Sequence, residues 1–171
     1  SILLSGDLGR HGIAILAERE GLQFESAIQS DCAALHRSVA ALIDAGIEIH
    51  CLRDLTRGGL ATALKEIASD AHYEFLVKED LIPVSEDVQG ACELLGLDPL
   101  YVANEGRYIA IVPEKQAEKA LEVMRAYPES KGADRVGDVG KARTGRVLLE
   151  SVLGTSRILD RLSGEQLPRI C

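Results

Sequence analysis

Residues 1–12 read SILLSGDLGRHG, an apolar run followed by a loop with glycines at positions 6, 9 and 12. The apolar side chains of Ile2–Leu4 predict a buried strand. Glycine adopts positive φ without strain and lets another backbone approach closely. We therefore predict a specialised loop over residues 6–12, at the end of a strand.

Composition predicts one domain without a nucleic-acid surface. The 171 residues are 46% hydrophobic, enough for one good-sized core. The net charge is -8, and the 19 basic residues are spread along the chain in no run longer than two. A nucleic-acid or anionic-membrane surface needs a basic patch, so both classes of partner are excluded.

Hydropathy and cysteine usage predict a cytoplasmic protein with free thiols. No apolar stretch approaches the roughly 20 residues that a transmembrane helix needs. The four cysteines, Cys32, Cys51, Cys92 and Cys171, could form two disulfides, but a domain of this size folds without them and the sequence shows no secretory signal, so we expect free thiols. Cys32 and His36 have the spacing of two ligands on one helix, but no second pair completes a metal site.

Helical and strand patterns alternate along the chain. Apolar spacing predicts helices over residues 31–45, 60–68, 85–95 and 114–125. Further strands are predicted over residues 47–51, 73–77 and 107–112, and a hairpin from residues 136–139 and 146–149. Ser30 or Asp31 is the predicted N-cap of the first helix. By itself, this alternation allows a parallel doubly wound sheet.

A second glycine motif, DLTRGG at residues 54–59, lies where a strand leads into a helix. The free N–H groups of the first helical turn, together with Arg57, suit a phosphate. The alternative is a glycine-rich turn in which Thr56 caps the next helix. The pattern alone leaves both interpretations open.

Two side chains are candidates for proton transfer. His11 lies in the first glycine loop, and histidine as a residue type is suited to proton transfer at neutral pH. Glu105 lies between Asn104 and Gly106, just before a predicted strand, where a carboxylate can act as a base. The alternative for each is a solvated loop residue. The first glycine loop matches neither a Walker A loop nor a dinucleotide fingerprint.

Cys171 is the third candidate, because a residue at a chain end is rarely part of a core. Residues 163–171 contain helix breakers and Pro168, which predicts an extended tail. Nine extended residues reach on the order of 30 Å, so a terminal thiol can visit more than one site. The alternative is an accidental cysteine on a disordered tail.

The motifs SGDLGRHG (5–12), DLTRGG (54–59), ANEGR (103–107) and the terminal PRIC (168–171) occur in an order and spacing that resemble the HypE family of hydrogenase maturation factors. The resemblance covers the whole chain and the C-terminal half of that family, which belongs to the two-domain PurM-like ATP-dependent enzymes. It implies an α+β fold over residues 1–150, with helices packed on a mixed, largely antiparallel sheet. Residues 151–171 then form a C-terminal segment and an extended, flexible tail.

The resemblance also implies a function, the maturation of [NiFe] hydrogenase. A carbamoyltransferase, HypF, loads a carbamoyl group on the Cys171 thiol, and an ATP-dependent carbamoyl dehydratase converts it to a thiocyanate. The nitrile then passes to iron on a HypC–HypD complex. Glu105 and His11 are the implied proton acceptors, and the nucleotide is expected near the residues of the second motif: Asp54, Thr56, Arg57, Gly58 and Gly59.

In the family, the N-terminal domain carries the acidic ligands for Mg²⁺–ATP and the homodimer interface, and this chain lacks that domain. Two alternatives remain. One is another PurM-like enzyme, such as a selenide or thiamine-phosphate kinase, which needs no Cys171. The other is that this chain alone is a non-catalytic carrier or docking module.

Overall fold

The computed structural model describes residues 1–22 and 27–161, which form an α+β fold. The strands of the described residues are β1 (Ile2–Leu4), β2 (Cys51–Asp54), β3 (Phe75–Lys78), β4 (Tyr108–Ile111), β5 (Asp134–Val139), β6 (Val147–Glu150) and β7 (Ser156–Leu159). The helices are α1 (Arg10–Glu20), α2 (His36–Asp44), α3 (Gly59–Ala71), α4 (Glu86–Leu95) and α5 (Ala117–Arg125).

All seven strands belong to one mixed sheet with the order β2-β4-β1-β5-β3-β6-β7. Every neighbouring pair is antiparallel except β3 and β6, which are parallel. This confirms the predicted mixed, largely antiparallel sheet, and it excludes the doubly wound parallel alternative.

The short strand β1 lies near the middle of the sheet and is buried on both faces. Because successive side chains of a strand point to opposite faces, Ile2 and Leu4 join one core and Leu3 joins another. Helix α3 contributes to the first core, and helices α2 and α5 contribute to the second. Burial on both faces explains why β1 is an unbroken apolar run.

A third, smaller core holds α1 in place. Ile13 of α1 packs with Val88 and Cys92 of α4 and with Val102. Helix α1 begins at Arg10, so His11 lies in its first turn, and the predicted loop over residues 6–12 is wrong beyond Gly9. This core therefore positions one of the predicted acid–base residues.

Three predicted boundaries are also wrong. Helix α2 begins at His36 rather than residue 31, because the Asp31 carboxylate accepts a hydrogen bond from the main chain of Glu105 instead of capping the helix. Strand β2 begins at Cys51, so residues 47–50 precede it. Thr56 does not cap α3, whose N-cap is Gly58 with no side-chain hydrogen bond.

The predicted hairpin is wrong in its pairing. β5 and β6 are both strands, but each is hydrogen-bonded to β3, which lies between them. Alternation of polar and apolar residues identifies a strand but does not identify its partner. The predicted helices over residues 60–68, 85–95 and 114–125 are confirmed by α3, α4 and α5, the last of which follows a turn of 3₁₀ helix.

None of the helices in the described residues is long and apolar enough to cross a membrane.

Gly59 brings the start of α3 against the segment before β4. It has φ +60°, and a Cβ built there would lie 2.6 Å from the Leu100 carbonyl oxygen and 2.7 Å from that of Val102. Gly96 has a similar φ of +68° but has no atom within 4 Å of a built Cβ. The two glycines therefore separate the effect of close packing from that of backbone conformation.

We expect Gly59→Ala to lower the free energy of unfolding by about 1–3 kcal/mol more than Gly96→Ala, because only the first change forces atoms to overlap. Both changes share a cost of about 1–2 kcal/mol for a non-glycine residue in the left-handed region. Urea unfolding measures both variants. Equal losses of unfolding free energy in the two variants would show that the atoms around Gly59 accommodate a Cβ without an energetic cost.

Candidate functional site

The three internal motifs meet at one end of the sheet. Strands β1 and β2 both end there, and antiparallel β4, which lies between them, begins there. The loop after β1, the turn after β2 and the segment before β4 are therefore neighbours. Sequence order separates these motifs widely, and the sheet brings them together.

The side chain of Asn104 connects the three motifs. It is fully buried. Its Oδ1 accepts a hydrogen bond from the N–H of Gly9 at 2.7 Å. Its Nδ2 donates to the carbonyl oxygens of Leu55 at 3.2 Å and Val102 at 3.0 Å. One amide thus holds the main chain of both glycine motifs against the third.

An ion pair fixes the first loop from a second direction. Arg107 is only 6% exposed, and its Nη2 lies 2.5 Å from Asp7 Oδ1. The same guanidinium donates from Nε to the Asp7 carbonyl oxygen and from Nη1 to the carbonyl oxygens of Gly106 and Glu129. The loop is therefore tied to β4 by charge as well as by the Asn104 amide.

Asp7 is held as a carboxylate in this network. Burial alone raises the pKa of Asp7, but hydrogen bonds from Arg107 and Arg10 outweigh burial, and the pKa is lowered from its ordinary value. Arg10 Nε lies 2.7 Å from Asp7 Oδ2. Both carboxylate oxygens are thus engaged, which suits a structural role rather than a proton-transfer role.

The two predicted proton acceptors are attached to the same short segment. His11 Nδ1 lies 2.9 Å from Ser30 Oγ. The main-chain N–H of Glu105 donates to Asp31 Oδ1 at 2.8 Å. Both side chains are half-exposed, so they face solvent beside the segment that orients them. Histidine and glutamate in this setting can exchange protons with a bound ligand.

A close main-chain crossing fixes Glu105 relative to Asp31. A Cβ built on Gly106 would lie 1.8 Å from the Asp31 carbonyl oxygen, so only glycine fits at this position. The sequence pattern assigns no structural role to Gly106 and predicts Ser30 or Asp31 as a helix cap. The structural importance of Ser30 and Asp31 was therefore missed, because a turn residue can cap a helix or bond a distant main chain with the same local signature.

The predicted nucleotide residues surround the start of α3. Gly58 is its N-cap and Gly59 its first residue, so the first-turn N–H groups point away from the helix. Arg57 is exposed and makes no hydrogen bond or ion pair within residues 1–22 and 27–161. Thr56 is half-buried, and Asp54 lies 3.7 Å from Arg53 across an exposed ion pair. The N–H of Gly59 approaches the Thr56 carbonyl oxygen at 3.5 Å, so the exposed cation Arg57 beside the N-terminal end of α3 is the feature that fits the binding of a phosphate.

The cysteines differ in their surroundings. Cys92 is buried, and burial raises the pKa of its thiol to about 11, while burial also raises the pKa of half-buried Cys51. Cys32 is exposed. Cys171, and with it the predicted extended tail over residues 163–171, lies outside the described residues. In the part of the chain that the structure describes, no cluster of three metal-ligating side chains occurs.

We expect Asn104→Ala to lower the free energy of unfolding by about 2–4 kcal/mol, because it leaves buried main-chain groups of both glycine motifs without partners. Gln116→Ala is the control: Gln116 also bonds a distant main-chain N–H, that of Glu48, but at an exposed position. Gln116→Ala should lower the free energy of unfolding by no more than about 0.5 kcal/mol. Similar losses in thermal unfolding would contradict the central role of Asn104.

The comparisons with known proteins agree with this geometry. The family model of the AIR synthase related protein, C-terminal domain, matches residues 1–150. The carbamoyl dehydratase HypE of Azotobacter vinelandii is 54% identical over 170 residues, which are 99% of this chain and 50% of that protein. The hydrogenase expression/formation protein HupE of Azotobacter chroococcum mcd 1 is 53% identical over the same shares. The chain spans about half the length of these curated relatives.

Solved structures show the same fold. A crystal structure of the hydrogenase maturation protein HypE superposes with a TM-score of 0.94 at 50% identity, covering 100% of this chain and 55% of that chain. HypE in complex with ATP superposes with a TM-score of 0.93 at 48% identity, covering 100% of this chain and 52% of that chain. HypE in a HypE–HypF complex superposes with a TM-score of 0.89 at 41% identity, covering 94% of this chain and 52% of that chain. The chain belongs to the AIR synthase related family, as a C-terminal domain of the HypE type.

Proposed function

We propose that this chain is the C-terminal half of an ATP-dependent carbamoyl dehydratase that acts in the maturation of [NiFe] hydrogenase. The observation that carries the proposal is that relatives named carbamoyl dehydratase are about half identical to this chain along its whole length. Because the chain spans about half of those relatives, the activity belongs to a full-length protein that also contains an N-terminal domain.

The proposed reaction takes place on the sulfur of Cys171. The carrier starts as a thiocarbamate, S–C(=O)–NH₂, and ends as a thiocyanate, S–C≡N, with loss of one water. The oxygen is a poor leaving group, and ATP, when bound, supplies the phosphoryl group that makes it a good one. Two protons must leave the nitrogen as the triple bond forms, so the site needs a base near the nitrogen.

Glu105 and His11 are the proposed proton acceptors. Glu105 lies in the segment before β4, and His11 lies in the first turn of α1. Both are hydrogen-bonded to neighbouring residues, Glu105 through its main chain to Asp31 and His11 through its ring to Ser30. A base is effective only when its position is fixed relative to the substrate. The hydrogen bonds with Ser30 and Asp31 fix the His11 ring and the Glu105 main chain relative to each other, which supports this assignment.

The proposed nucleotide site lies at the start of α3. The phosphates are assigned to the first-turn amides of Gly58 and Gly59 and to Arg57, with Thr56 and Asp54 beside them. A HypE structure in complex with ATP supports a nucleotide site in this family. We assign Mg²⁺ mainly to ligands of the N-terminal domain, since the described residues contain no cluster suited to it.

The proposed partners follow the order of the reaction. HypF loads the carbamoyl group, a role supported by the solved HypE–HypF complex. A HypC–HypD complex receives the nitrile on iron. The full-length protein is proposed to be a cytoplasmic homodimer whose dimer interface lies in the N-terminal domain. On its own, a chain that spans about half the length of its curated relatives is proposed to serve as a carrier or docking module.

We expect HypF, carbamoyl phosphate and ATP to add one carbamoyl mass to the full-length protein and then remove one water, at Cys171 alone. Intact-mass and peptide analysis should show both steps. Cys171→Ala should abolish them, because it removes the only sulfur at the proposed position. Cys32→Ala, at an exposed thiol, should change neither. A modification that persists in Cys171→Ala would refute the carrier role.

We expect Glu105→Gln to stop dehydration and leave carbamoylation intact, since an amide cannot accept the substrate proton but preserves the shape of the side chain. A loss of about 10²–10⁴-fold in the dehydration rate is typical for a general base. The control is Glu118→Gln on the exposed side of α5. Thiocyanate formation at the normal rate would remove Glu105 from the mechanism.

A further inference from the structure

Asp31 has one carboxylate oxygen that the described fold does not use. The residue is only 4% exposed and lies in the irregular segment between α1 and α2. Its Oδ1 accepts the hydrogen bond from the Glu105 main chain. Its Oδ2 is buried and has no hydrogen-bond partner among residues 1–22 and 27–161.

A buried carboxylate oxygen without a donor is costly. Hydrogen bonds to charged groups contribute about 1.5–3 kcal/mol, and an unsatisfied buried acceptor loses its hydration without replacement. Native proteins satisfy most such atoms, so an exception calls for an explanation. The cost is explained if Asp31 Oδ2 accepts a hydrogen bond from a ligand when the ligand binds.

The open oxygen lies at the candidate site. Asp31 contacts the main chain of Glu105 on one side, and its neighbour Ser30 contacts His11. Gly106 has no side chain, so the Asp31 main chain can lie directly against it. The residue pair Ser30 and Asp31 is therefore hydrogen-bonded to both residues whose half-exposed side chains are the candidate proton acceptors.

The chemistry of a carboxylate limits what this ligand can be. An ionised carboxylate only accepts hydrogen bonds, so it favours an N–H donor and disfavours a phosphate. The exposed cation Arg57, just before α3, has the opposite preference. Of the two ends of a carbamoyl group, the nitrogen suits Asp31, and the oxygen that becomes phosphorylated suits the start of α3.

We propose that Asp31 binds the carbamoyl nitrogen: Oδ1 positions the main chain of Glu105, and Oδ2 accepts a hydrogen bond from a substrate N–H. The inference rests on the proposed dehydratase function. Asp31 gains no proton in this role, and Glu105 remains the acceptor of the proton. The orientation of the substrate, nitrogen towards Asp31, brings the same nitrogen to the proposed base.

Asp31→Asn in the full-length protein tests this role. The amide oxygen can keep the hydrogen bond from Glu105, and the NH₂ group then replaces Oδ2 and meets a substrate N–H as donor against donor. The dehydration rate of carbamoylated protein should fall by about 10–100-fold. Carbamoylation should be unchanged, and the melting temperature should be equal or higher, because a neutral amide costs less to bury than a carboxylate.

Asp98→Asn is the matched control, because Asp98 also accepts a main-chain N–H, that of Leu100 at 2.9 Å, outside the candidate site. It should leave dehydration unchanged. A purely structural Asp31 would give normal dehydration in Asp31→Asn, or a loss that follows a lowered melting temperature, and either result would overturn the proposal. If the wild-type protein becomes carbamoylated but loses no water, the proposed function fails instead of the role of Asp31.

A structure of the carbamoylated full-length protein gives an independent result. The carbamoyl nitrogen should lie within about 3.2 Å of Asp31 Oδ2. A nitrogen bound elsewhere, with Asp31 Oδ2 still unpaired, would contradict the assignment even if dehydration proceeds.

Discussion

The buried amide of Asn104 is the contact on which the arrangement of the site depends. Its oxygen and nitrogen bind main-chain groups of Gly9, Leu55 and Val102, which belong to three separate parts of the chain. Asn104 is fully buried, and buried main-chain groups are costly to leave without hydrogen-bond partners. A shift of any one loop would leave a polar group unsatisfied, and the loops are therefore fixed relative to one another.

The ion pair of Arg107 with Asp7 adds a charged constraint at the same end of the sheet. Arg107 also binds the carbonyl oxygen of Glu129, so the loop before β5 joins the three motifs. A buried cation is tolerated only where hydrogen bonds compensate for its lost hydration, and Arg107 has four. These residues support the segments that carry His11 and Glu105, whose side chains are half-exposed.

The sheet explains why such a site can form from distant motifs. β4 lies between β1 and β2 and runs antiparallel to both, so its first residue is beside their last residues. The residues at that end of the sheet include the exposed cation Arg57 just before α3, the half-exposed Glu105, and the buried Asp31 that accepts a hydrogen bond from the Glu105 main chain. A ligand with an anionic end and an N–H end, as proposed for a phosphorylated carbamoyl group, complements that division of charge.

The sequence by itself determined the apolar strand Ile2–Leu4, the helices α3, α4 and α5, and the motifs that identify the family, because these depend on local periodicity, on glycine conformation and on residue order. Only the tertiary structure decided the pairing of β5 and β6 with β3, the late start of α2 and the roles of Asn104 and Asp31. Those features depend on which distant main chain competes for a hydrogen bond. Asp31 shows the reason: its local signature suits a helix cap, but the N–H of Glu105, 74 positions further along the chain, takes its carboxylate instead.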